Sequence, residues 1–184
     1  MTKYEIRKKI KDLRTMLNEE DRIDAADRIF AKIEELAAFQ LADKILMYHS
    51  LPDELDTKRF LKKWKNLKRF YLPRVNGVNL EILPYEESRL EIGSFHIEEP
   101  TGDDTVPVEE IELLIVPGVA FDRKGHRLGR GKGFYDRLLS NGSATKIGVA
   151  YDFKLVDDLP SLPHDVPMDI IITEETIIYR KKNS

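Results

Sequence analysis

Near the start of the chain, apolar positions recur at helical spacing. Ile6, Ile10, Leu13 and Leu17 fall three or four apart and predict a first helix. Asn18 can cap a second, with Asp21 in its first turn and Ile23, Ala26, Ile29, Phe30, Ile33 and Leu36 along one side. From Lys44 the period shortens. Lys44–Tyr48 is an apolar run of strand length, Asp56-Thr57 opens a helix carrying Phe60, Leu61 and Trp64, and Arg69–Leu72 reads as a strand stopped by Pro73. Asn76-Gly77 signals a turn before a strand over Asn79–Leu83. Residues 84–111 are acidic and interrupted by Pro84, Pro100 and Pro107, and read as a long irregular functional loop. Glu112–Val116 is the most apolar strand, followed by Lys146–Ala150, Asp169–Ile172 and an edge strand over Ile177–Tyr179.

Strands alternating with helices predict an α/β fold. The expected architecture is a three-layer α/β/α sandwich with a largely parallel central sheet and two N-terminal helices, one domain spanning 1–184. In such sheets ligands bind beyond the carboxyl ends of the strands. Val116-Pro117-Gly118 closes the most apolar strand on that edge, and a distinctive segment follows within about ten residues.

That segment is Arg127-Leu128-Gly129-Arg130-Gly131-Lys132-Gly133-Phe134-Tyr135-Asp136-Arg137. Glycine at alternate positions suits a backbone that turns tightly or approaches a ligand closely. The helix expected over Phe134–Ser140, stopped by Asn141-Gly142, would turn its free N–H groups toward phosphate, and Arg127, Arg130 and Lys132 add charge. Asp136 could take a metal ion carried by that phosphate. The same residues also fit a basic surface turn. Two familiar phosphate motifs are absent: Gly133, not Ser or Thr, follows Lys132, and Phe134 stands where a dinucleotide fingerprint needs its third glycine.

Three further groups of residues carry chemistry. Lys3 and Arg7 share a helix face, with Arg14 close to it, as either a phosphate-contacting stripe or plain solvated surface. His49 and Glu54 bracket the loop after the first strand, where they could meet a polar heterocycle or be ordinary turn residues. Asp136 with Asp165 or Asp169 could form an oxygen-rich magnesium site, or the acids could serve as caps.

Composition narrows the classes. Thirty Lys and Arg are outweighed to a net charge of −3, so bulk charge draws the chain to neither nucleic acid nor membrane, and an anion site must be a local cluster. With no cysteine there are no disulfides, thiolate nucleophiles or Cys-based metal sites. The charged start and the lack of a run of about 18 apolar residues fit a cytoplasmic protein.

The block Val116-Pro117-Gly118-Val119-Ala120-Phe121-Asp122, then Gly125, then Arg127 through Asp136, resembles the 5-formyltetrahydrofolate cyclo-ligases, also called methenyltetrahydrofolate synthetases. Lys3…Arg7, Glu54-Leu55-Asp56-Thr57, Leu72-Pro73-Arg74, Ile97-Glu98-Glu99-Pro100 and His164-Asp165…Asp169 fall in matching order. The resemblance implies an ATP- and Mg2+-dependent closure of 5-formyltetrahydrofolate to 5,10-methenyltetrahydrofolate, with release of ADP and phosphate. It implies ATP contacts from Lys3, Arg7 and Arg127, Leu128, Gly129, Arg130, Gly131, Lys132, Gly133, Phe134 and Tyr135. Folate contacts would come from His49, Glu54, Phe95 and positions 130–134, magnesium ligation from Asp136 and Asp165, and charge stabilisation during transfer from Arg130 and Lys132. A monomer is expected, without nucleic-acid or membrane partners. Two other readings share the anion loop: a sugar-phosphate isomerase or CoA-transferase-like enzyme working without ATP, and a non-catalytic module for folate or RNA.

Overall fold

The computed structural model describes residues 1–181. Its centre is a seven-stranded sheet formed by β1 (Lys44–Leu46), β2 (Arg69–Asn76), β3 (Asn79–Pro84), β6 (Leu113–Val116), β9 (Thr145–Val149), β11 (Ile170–Ile172) and β12 (Ile177–Tyr179). The order is β12-β11-β9-β6-β1-β2-β3. The five inner strands run parallel, and β12 and β3 pair antiparallel at the two edges. This is the mixed α/β class with a mostly parallel sheet that the alternation predicts.

Successive residues on each inner strand face opposite layers, as the two-residue period requires. Leu113 and Ile115 pack with Ile45, Met47 and Ile147 under α2 (Glu19–Glu35), α3 (Ala37–Leu41) and α4 (Lys58–Trp64), where Phe30 and Phe60 stack at 4.5 Å. Leu114 and Val116 face the other layer with Leu46, Ile171 and Phe121. That layer is thinner than an α/β/α sandwich suggests. It has one short helix, α5 (Phe134–Leu139), and a three-stranded sheet of β7 (Ala120–Asp122), β8 (Arg127–Leu128) and β10 (Leu155–Val156). The first helix, α1 (Lys3–Arg14), lays Ile6 and Ile10 on Ala120 and Leu128 of that small sheet and on Leu159 just after it. Its start is capped by Thr2, and Asn18 caps α2 by accepting the Asp21 N–H at 2.8 Å.

Three expectations are corrected. Ile23 is exposed rather than buried, and Ala25 takes a place in the α2 core face. Pro73 does not stop β2, which continues to Asn76. The Tyr85 N–H donates to Phe70 and the Met47 N–H to Tyr71, so the polar groups of β2 alternate between its neighbours. Pro73 shares the phase of Tyr71, away from β3, on the side where β1 has already ended. Residues 84–111 are also not irregular. They hold a hairpin of β4 (Leu90–Ile92) and β5 (Glu98–Pro100), with 3₁₀ turns around it. Buried Glu99 pins this hairpin to the sheet by accepting the Val75 N–H at 2.6 Å.

Candidate functional site

The parallel order β9-β6-β1 places three loops side by side at the carboxyl ends of adjacent strands. After β1 the chain forms a tight loop over 50–57. Ser50 and Thr57 close its base, each backbone N–H donating to the other's hydroxyl at 3.1 Å, and the Thr57 hydroxyl donates to Tyr48 O at 2.7 Å. Inside, the Leu51 N–H donates to Glu54 Oε1 at 2.9 Å. Glu54 is thus held nearly buried, and desolvation raises its pKa.

After β6, the small sheet delivers the glycine segment. Arg127 and Leu128 are strand residues, with Leu128 pointing into the core beside Ile6, so only its backbone is available to a ligand. Arg127 donates from Nε to Pro117 O at 2.6 Å and lies 4.8 Å over the Tyr135 ring. Burial lowers the Arg127 pKa and raises that of Tyr135. Gly131 has φ +105° and Gly133 φ +73°, conformations that side-chain-bearing residues rarely adopt, so the bend needs glycine there. Gly133 then caps α5, as the sequence predicts, and the helix ends at Leu139 with Ser140 as its cap.

The structure brings distant predicted residues onto this bend. Arg7 donates from Nε to Gly129 O at 3.0 Å, with Lys3 one turn earlier on the same helix. Arg130 reaches Asp53 Oδ2 at 2.9 Å, and Arg14 reaches the same oxygen at 2.5 Å. Arg130 also lies 4.0 Å from Glu54. The hairpin tip arrives from the other side. Phe95 is 6.1 Å from the Phe134 ring, and the Lys132 ammonium sits 5.5 Å over Phe95. Phe95 and His96 both have positive φ, 59° and 58°, which costs about 1–3 kcal/mol per residue. His49 lies 3.6 Å from Glu98 of β5. Desolvation lowers its pKa, against the pull of Glu98.

The acids divide. Asp136 is half-buried in the first turn of α5 and accepts no hydrogen bond among the described residues, so its carboxylate is free for a cation. Asp165 accepts the Leu162 N–H at 2.7 Å, leaving its other oxygen near His164 at 3.6 Å. Asp169 is engaged structurally, accepting the Lys146 N–H at 2.8 Å and lying 3.8 Å from Arg180. Asp122, His126 and Asp158 bring ligand atoms within 4.8 Å of one another. There Asp122 is fully buried and accepts from the Lys124, His126 and Leu159 N–H groups at 2.9–3.0 Å, which makes it the knot of the β7–β8 turn.

Two residues escape sequence reasoning. Asp53 sits inside the His49–Glu54 loop with no spacing to mark it, yet it joins the α1 stripe to the glycine bend. Lys154, in the turn after β9, is 7% exposed with its ammonium 3.5 Å from Gly118 O. No spacing rule marks a lysine whose burial depends on the tertiary fold.

Fold and site together define an α/β protein that gathers a glycine-rich segment with Arg7, Arg127, Arg130 and Lys132 at the carboxyl edge of a parallel sheet. A family model for the 5-formyltetrahydrofolate cyclo-ligase family matches residues 1–174, and the chain belongs to that family of folate one-carbon ligases. It is 37% identical over 147 residues to 5-formyltetrahydrofolate cyclo-ligase of Escherichia coli K12, covering 74% of this chain and 81% of that protein. It is 32% identical over 181 residues to the Haemophilus influenzae cyclo-ligase, covering 92% and 97%. The NMR structure of Aquifex aeolicus 5,10-methenyltetrahydrofolate synthetase superposes with a TM-score of 0.90 at 34% identity, covering 100% of this chain and 95% of that one. The Mycoplasma pneumoniae 5,10-methenyltetrahydrofolate synthetase gives 0.77 at 27% identity, covering 95% and 99%.

Proposed function

We propose that the chain closes 5-formyltetrahydrofolate to 5,10-methenyltetrahydrofolate, using ATP and magnesium and releasing ADP and phosphate. The observation that supports this reading is the hydrogen bond from Arg7 Nε to Gly129 O, which joins the α1 stripe to the glycine bend. A formamide oxygen is a poor leaving group. Transfer of the γ-phosphoryl of ATP onto it breaks the bond to the β-phosphate oxygen and releases ADP. N10 then attacks the activated formyl carbon and closes the ring, its proton passes to solvent, and phosphate departs with the former formyl oxygen. Such transfer asks mainly for in-line positioning and neutralisation of charge.

The residues divide along the cleft. Lys3, Arg7 and the segment Arg127–Tyr135 hold the nucleotide, with Arg130 and Lys132 stabilising charge on the transferred group. Glu54 accepts N–H donors of the pterin, His49 and Phe95 line its side of the cleft, and positions 130–134 lie between the two substrates. Asp136 and Asp165 offer only carboxylate oxygens, which suit magnesium with its retained waters. The ion supplies charge neutralisation on the phosphates when bound. The protein works as a cytoplasmic monomer in this reading.

Purified protein given magnesium, ATP and 5-formyltetrahydrofolate should produce methenyltetrahydrofolate absorbance and one ADP per turnover, and omission of any component should stop both. Asp136→Ala should abolish turnover with an unchanged circular dichroism spectrum. Near wild-type turnover in that variant would refute the metal assignment.

A further inference from the structure

Arg137 ends the glycine-rich segment, and the scheme above gives it no part. It is an exposed residue of α5, and its hydrogen bonds go to two backbone carbonyls. Nε donates to Val78 O at 2.7 Å, in the turn between β2 and β3, and Nη2 donates to Lys132 O at 2.8 Å. These two nitrogens form one edge of the planar guanidinium, so a single rigid fork spans two segments far apart in the chain. The guanidinium carbon lies 5.7 Å from the centre of the Phe134 ring, which seats the fork from one side.

The carbonyl it holds belongs to the most yielding peptide of the bend. Lys132 stands between Gly131 at φ +105° and Gly133 at φ +73°. Glycine takes either sign of φ at little cost, so the Lys132–Gly133 peptide could turn over easily if nothing held it. In a trans peptide the C=O and the following N–H point in opposite directions. With Lys132 O fixed on Arg137, the Gly133 N–H must point to the opposite face of the bend. No group among the described residues accepts it. The other prong of the fork stands on the β2–β3 hairpin, paired from Tyr71 with Pro84 to Asn76 with Asn79. A firmly paired hairpin thereby sets the direction of a soft peptide.

We propose that Arg137 is a positioning residue for the nucleotide. It braces the Lys132–Gly133 peptide against the β2–β3 hairpin, so that the Gly133 N–H is held out as a donor to a phosphate oxygen of ATP. A donor fixed before the ligand arrives needs no reorganisation when charge reaches it. This deepens the nucleotide reading of Arg127–Tyr135 and rests on it.

Labelling with lysine 13C′ and glycine 15N selects Lys–Gly peptides, of which the chain has two, Lys124-Gly125 and Lys132-Gly133. A Lys124→Arg background leaves Gly133 as the one signal, read with magnesium and the non-hydrolysable β,γ-imido analogue of ATP. The Gly133 amide proton should move downfield when the analogue is added, and Arg137→Gln, Arg137→Met and Arg137→Lys should each lose that movement. In all three, kcat/KM for ATP should fall roughly tenfold, the factor that one hydrogen bond to a charged group is worth. Because Arg137 is exposed, the melting temperature should change by only a few degrees. Lysine should not rescue, since it keeps the charge and lacks the fork. A Gly133 signal that moves as in wild type in all three variants overturns the brace, as does an unchanged kcat/KM for ATP or full rescue by Arg137→Lys. A Gly133 signal that stays still in wild type saturated with the analogue overturns instead the reading of Gly133 as a nucleotide contact, and the proposal with it.

Discussion

Asp53 accepts from two arginines through one oxygen, Arg14 at 2.5 Å and Arg130 at 2.9 Å. Burial pushes its pKa up, but the Arg130 hydrogen bond and the two positive charges outweigh this and hold it below the ordinary 3.8. A carboxyl lowered by folding stabilises the protein above its unfolded pKa, and that contribution is lost as pH falls through the folded value. Asp53→Asn should therefore lower the melting temperature at pH 7, and the gap to wild type should close below about pH 3.8. Thermal melts across that range decide it, and a gap independent of pH would show that the ion pairs do not supply the stability. At this scale the sequence was only partly legible. Arg130 stands out because its charge sits beside glycine, Glu54 because it follows a strand, and Arg7 because it shares a helix face with Lys3. Asp53 and Lys154 do not, because what distinguishes them is burial and a partner far along the chain.

The glycine bend works through its backbone. A Cβ built on Gly131 would meet nothing nearer than the Arg7 guanidinium at 3.7 Å, so space does not exclude alanine, but φ +105° does. Gly131→Ala should cost about 1–3 kcal/mol locally. It should cut kcat/KM for ATP about five- to 150-fold, the factor to which that energy converts if it is spent at the bend, while the melting temperature falls only a few degrees. Unchanged kcat/KM would show that the bend's shape is not part of nucleotide binding. The bend itself is readable from alternating glycines. The β4–β5 hairpin is not, because three prolines and many acids mask its short strands, and its attachment to the sheet depends on Glu99 reaching Val75. β7, β8 and β10 were too short for a periodic signal, yet they seat Arg127 in the cleft.

For the whole molecule, the parallel sheet is a rigid platform whose carboxyl edge gathers the loops. Its packing is tight where β9 crosses the layer of Phe121. A Cβ on Gly148 would lie 2.5 Å from the Phe121 ring and 3.1 Å from Met168. Gly148→Ala should destabilise the fold by about 1–3 kcal/mol through overpacking. Denaturant melts would measure this, and an unchanged midpoint would mean that the layer yields easily. Apolar runs such as Leu113–Val116, whose every residue is buried at the middle of the sheet, make the fold class legible. The thin second layer was not legible, because a three-stranded sheet and a short helix leave no long amphipathic pattern. Among the described residues no helix is long and apolar enough to cross a membrane.

The central claim is chemical: the cleft places the γ-phosphoryl of ATP on the formyl oxygen. Substrate labelled with 18O in the formyl group tests it directly, with the released phosphate read by the isotope shift in its 31P NMR spectrum. The account predicts one 18O in every phosphate formed with methenyltetrahydrofolate. Unlabelled phosphate, with the label recovered in water, would contradict it.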